Sequence, residues 1–224
     1  MAQDTLYISP EFNPHSLERD WGFVMRSQHP AMYAALSKDL SALRRALFDH
    51  VIAQATNTQN QGDQAKQPAL RNDAKVTTES VSPDTQQLYR EVGLDTLSLA
   101  LLADVPIHRP LQISHNSLVG HWRWLRQVWR TCATFSERMP HDGIEESPTP
   151  EIITAIDEGR NNLAIALLRQ SFRDLESEDN STSARSNRTH HSFLANLTLF
   201  CPFIGTELLW RQGLIDGPKD RRLD

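Results

Sequence analysis

The chain has 224 residues, 28 acids against 23 lysines and arginines, a formal net charge of −5, and an apolar content of 39%. That length suits one large domain or a domain with a small appendage, and with a mean hydropathy of −0.49 no run approaches the roughly 20 apolar residues that a membrane span needs. Cys132 and Cys201, the only two cysteines, are too few for a disulfide framework and follow no zinc spacing; the opening MAQDTLYISPEFNP lacks the basic and apolar regions of an export signal, so a cytoplasmic protein is expected.

In chain order, residues 1–53 read as a lead-in and a helical hairpin. Pro10 and Pro14 block a long helix over the first 20 residues. Pro30 is placed to open a helix in which Met32, Leu36, Leu40, Leu43, Leu47 and Val51 recur at three- or four-residue steps, with Arg44, Arg45 and Asp49 on the wet side. Residues 54–87 lack aromatics and are rich in Gln, Asn, Asp, Thr and Ser, the composition of a loop or linker that buries too little apolar surface to offset its ordering entropy.

Residues 88–176 read as a central helical core. A helix opened by Ser82 and Pro83 runs through Val92 and ends at Gly93; Leu94–Ala103 follows as an apolar stretch, and Pro106 and Pro110 mark a turn. Next come a helix from Ser117 to Arg138, a Pro/Gly loop over Met139–Pro150, and a helical hairpin, Glu151–Glu158 and Asn161–Leu175, broken at Gly159. Residues 177–192 form a second polar linker, and 193–224 an apolar helical segment divided at Pro202 and a basic tail. Alternating strand patterns are scarce. The fold class expected is mainly α, an irregular multi-helix bundle.

Within that frame the stretch His121–Arg130, HWRWLRQVWR, holds three of the five tryptophans. On a helix, Trp122, Leu125, Val128, Trp129 and Cys132 share one arc, while Arg123, Arg126 and Arg130 at i, i+3, i+7 make a basic stripe beside it. Trp124 falls on the opposite side and calls for a second layer or a partner. Residues 105–140 carry five arginines against one glutamate, whereas 141–179 carry ten acids against three arginines. Exposed Trp and Arg are the residue types that dominate interface hot spots, and they also suit phosphate contact and base stacking.

Catalytic constellations are missing: there is no glycine-rich phosphate loop, nucleophile elbow or HExxH. Adjacent acids such as Glu145–Glu146 and Asp157–Glu158 do not share a helix face. The histidines have no compact set of companions at ligand spacing. No catalytic, cofactor or metal residues are therefore assigned. The expectation is a non-enzymatic accessory protein that docks on a protein or nucleoprotein complex through Arg123, Trp124, Arg126 and Arg130, with direct nucleic-acid contact and oligomerisation left open.

A second reading comes from Gln86–Ala103, QQLYREVGLDTLSLALLA, a helix–glycine–helix pattern like a helix-turn-helix, although Leu97, Leu99, Leu101 and Leu102 leave its second helix few polar groups for base edges. Asp104 and His108 at i, i+4, together with HRPLQISHNSLV, AIDEGRNNLAIALL and DLSALRRALFDH, resemble the all-helical FCD ligand-sensing domain of GntR-type regulators. The resemblance implies a DNA-binding transcriptional regulator. Its metal site would be degenerate, because the family's two further histidine positions fall at Thr149 and Ser171. The C-terminal LLWRQGLIDGPKDRRLD similarly resembles a helix-then-wing phrase of MarR-like proteins, but it reads more simply as a basic tail.

Overall fold

The computed structural model describes residues 12–59, 74–133, 148–177 and 184–215. The inner parts of both expected linkers, most of the Met139–Pro150 loop and the basic tail lie outside these. The described residues form a mainly helical bundle with one small sheet. In order the elements are α1 (Pro14–Gln28), α2 (Pro30–Ala35), α3 (Leu40–Gln59), β1 (Val76–Glu79), α4 (Thr85–Val92), α5 (Leu94–Leu102), β2 (Leu111–Ser114), α6 (His115–Cys132), α7 (Pro150–Asp157), α8 (Asn161–Ser177), α9 (Ala184–Phe200) and α10 (Pro202–Arg211).

Local chemistry explains most boundaries. Pro14 sits in the first turn of α1, and the Asn13 side chain accepts from the amides of His15 and Ser16. A proline expected to block a helix thus begins one, since a first-turn residue needs no amide partner. The helix expected from Pro30 is divided at 36–39, where Asp39 accepts from Ala42 N at 2.8 Å and starts α3 afresh. Its six periodic apolar residues are nonetheless all buried. Strands β1 and β2 were not expected; they pair in parallel with Val76 opposite Leu111, and β1 falls inside the segment read as a linker. A single apolar cluster draws on residues from Phe12 to Leu208.

At the centre lies α5, all nine of whose residues are buried. A helix so enclosed needs its end groups satisfied by other elements. At its N-terminus the Glu18 carboxylate of α1 accepts from Leu94 N at 2.6 Å. At its C-terminus the Arg44 guanidinium donates to Leu101 O (2.8 Å), Val105 O (3.1 Å), Pro106 O (3.0 Å) and Arg109 O (2.7 Å). Both charges complement the helix dipole. Arg44, expected on the wet side, is 1% exposed: the carbonyls at the end of α5 draw it inward, and helix periodicity carries no trace of them. Arg45 and Asp49 are exposed as expected.

The second helix of the helix-turn-helix pattern is this same α5. Buried on every side, it presents nothing to a DNA groove, and its leucines form the core.

Candidate interaction surface on helix α6

Helix α6 follows directly from β2. The Ser114 side chain accepts from Ser117 N at 3.2 Å and fixes the first turn. Leu118, His121, Leu125, Val128, Trp129 and Cys132 are buried, so the apolar arc is centred slightly away from the one expected. His121 belongs to it and Trp122 is only half-buried. A polar residue is tolerated there because Arg169 of α8 lies 2.7 Å from His121 Nδ1. Burial, then the Arg169 charge, push the His121 imidazole down to about 4, so the ring is neutral at pH 7. Burial also lowers the Arg169 guanidinium, with the Asp104 charge opposing it.

The tryptophans are placed differently from one another. Trp129 is buried against Phe12, 6.2 Å between ring centroids, with the Arg211 guanidinium 4.7 Å from its ring. Trp122 meets Phe12 at 6.3 Å and carries Arg126 over its ring at 5.6 Å. Trp124 is half-buried. Its ring stands edge to face on Phe172 at 5.9 Å, with Arg169 at 5.3 Å on the same indole. The second layer that Trp124 required is therefore supplied by α8. Each such cation–π contact contributes about 0.5–1 kcal/mol where solvent reaches it.

Between the two half-buried indoles runs the wet face: Asn116, Gly120, Arg123, Gln127 and Arg130, all exposed. Gln127 donates to Glu176 of α8 at 2.8 Å. Arg123 and Arg130 form no ion pair with any described residue. Thus Arg123 and Arg130 lie exposed on this face, while Arg126, over Trp122, is half-buried at one margin and Trp124 is half-buried at the other. Sequence reading missed Arg169 and Phe12, which hold the indoles together with Phe172. They lie on other elements, and nothing in the spacing of α6 points to them.

Other candidate chemistry is dispersed. Helix α5 ends at Leu102, so Asp104 and His108 lie in the turn before β2 and share no helix face; both are exposed. Glu158 pairs with Arg160 at 3.0 Å on the surface. His29 and His50 approach to 3.2 Å between Nδ1 atoms, yet among the described residues no group of three or more His, Cys, Asp or Glu is gathered as a metal site would require. Among these residues, too, no helix is long and apolar enough to cross a membrane. No protein-family model matches the chain.

Proposed function

We propose that this chain acts by docking on a macromolecular partner through the wet face of α6, with Arg123, Arg126 and Arg130 as its charged contacts and the exposed margin of Trp124 beside them. One observation supports this above the rest. Arg44 and Arg211 are committed to partners inside the fold, on backbone carbonyls and on Glu207 respectively, whereas Arg123 and Arg130 point outward with no acid of the described chain against them. Aligned guanidiniums left open in a molecule of net charge −5 favour recognition of an anionic surface. The cytoplasm is the setting of this reading, consistent with the two free cysteines.

The test is capture from the native cell with and without nuclease, using the wild-type chain and an Arg123→Ala/Arg126→Ala/Arg130→Ala variant of matched melting temperature. The reading expects a partner that the triple variant fails to retain. Equal retention by the two chains overturns it.

A further inference from the structure

Gly120 adds a second observation to the arginine stripe. It lies within the 18-residue helix α6, exposed, and a Cβ built on it meets nothing within 4 Å. Nothing described in the fold requires glycine there, although glycine is the poorest helix former after proline. What the position offers is a notch: the backbone of α6 is bare on the face that carries Arg123 and Arg130. Asn116, Gly120, Arg123, Gln127 and Arg130 follow one another at steps of four, three, four and three residues, which lines them along one side of the helix, a polar row against which a second helix can lie. A small residue on such a row lets two backbones approach closely.

The same face is poorly suited to nucleic acid. Base stacking needs open indole faces, and both half-buried indoles are engaged: Trp122 by Arg126 and Phe12, Trp124 by Arg169 and Phe172. Three arginines would release only about three counterions from a polynucleotide, against the 6–10 phosphate contacts of effective binders. A carboxylate stripe fits better. Arg123 and Arg130 are separated along the helix axis by about 10.5 Å, the rise between acids at i and i+7 of a facing helix, and guanidinium forks pair with carboxylates bidentately.

Resting on the docking reading above, we propose that α6 receives an acidic helix of a partner protein, seated at Gly120 with its carboxylates on Arg123, Arg126 and Arg130. The probe is a synthetic alanine-based helical peptide bearing glutamates at i, i+4 and i+7, compared with its glutamine counterpart, a single-stranded oligonucleotide and a DNA duplex, each titrated against the full chain. The glutamate peptide is expected to bind in a salt-sensitive manner, and its glutamine counterpart at least tenfold more weakly. The triple arginine variant should lose binding. Gly120→Leu should also lose it while melting no lower than wild type, and Gly120→Ala should melt higher and bind more weakly; a purely structural glycine would give the opposite melting shifts.

Failure of the glutamate peptide to bind, or full binding by Gly120→Leu, overturns the proposal. Oligonucleotide binding in place of peptide binding overturns it too, yet leaves the wider docking reading standing. That reading fails separately, when capture is indifferent to the arginines.

Discussion

Asp95, on the buried helix α5, accepts from the amides of Phe203 (3.2 Å) and Ile204 (2.7 Å) in the first turn of α10, where Cys201 supplies no side-chain cap. Its carboxyl is pushed up to about 7 by burial, the two amides opposing. A raised carboxyl binds its proton more tightly in the folded chain than in the unfolded one, so this group favours folding below pH 4 and loses that contribution as pH rises through 7. His50, His121 and His190 act in the opposite sense. Burial lowers each to about 4, so their contribution is present above 6.5 and lost as pH falls through 4, up to about 3 kcal/mol apiece. These three histidines, with His29 lowered in the same sense, stand against Asp95 and the carboxyls of Glu18, Asp49 and Asp157, which burial raises. The three large histidine shifts predict a chain destabilised by acid between pH 6.5 and 4, measured as a falling urea midpoint. Asp95→Asn removes one opposing group and should steepen that loss; a shallower loss would contradict these assignments. Replacing Asp95 with Ala, which strips the acceptor from both amides, should cost about 2–3 kcal/mol at neutral pH.

Among elements, α5 depends most on its neighbours. Arg44 satisfies carbonyls at its end and in the turn beyond, and Asn161 of α8 donates to Leu102 O and Val105 O beside it. Arg44→Met should destabilise the fold by about 3–5 kcal/mol, the cost of orphaning several buried acceptors. Arg44→Lys should recover little, because an ammonium lacks the planar fork. The α9–α10 hairpin makes a different demand. A Cβ on Gly205 would fall 2.7 Å from Thr198 Cα, so Gly205→Ala should cost about 1–3 kcal/mol through forced separation of the helices. Calorimetry on these variants checks both, and a melting temperature unchanged in either would refute the packing described.

At this scale the limits of sequence reading are physical ones. Helix periodicity marked the breaks at Gly93, Gly159 and Pro202, because glycine and proline act locally. It missed the division of α2 from α3 at Asp39, since the apolar steps of that stretch continue across a break that only a side-chain cap reveals. It also missed β1 and β2, whose four-residue lengths leave too few alternations to register. Arg44 and Asp95 went unread because their partners lie 57 or more residues away.

Across the whole molecule, one core ties α1 to α10. Trp21 donates to Glu207 at 2.7 Å, Glu207 pairs with Arg211 at 2.8 Å, and Arg211 reaches over Trp129 of α6. The helix carrying the arginine stripe is thereby held along its inner side by elements from both ends of the described chain. The composition of its outer face was legible in the sequence, through the i, i+3, i+7 arginines. For Trp124 the sequence called for a second layer or a partner without choosing between them, because the residues of α8 that supply the layer lie 45 or more positions away. The most direct test is photo-crosslinking in the native cell from a reactive residue placed at Asn116, on the exposed row of α6, with Ala53 on the exposed side of α3 as control. A discrete adduct from position 116, absent at 53 and lost when Arg123, Arg126 and Arg130 become alanine, is the result expected. Adducts equal at the two positions, or an adduct at 116 indifferent to the arginines, would contradict a docking role for this helix.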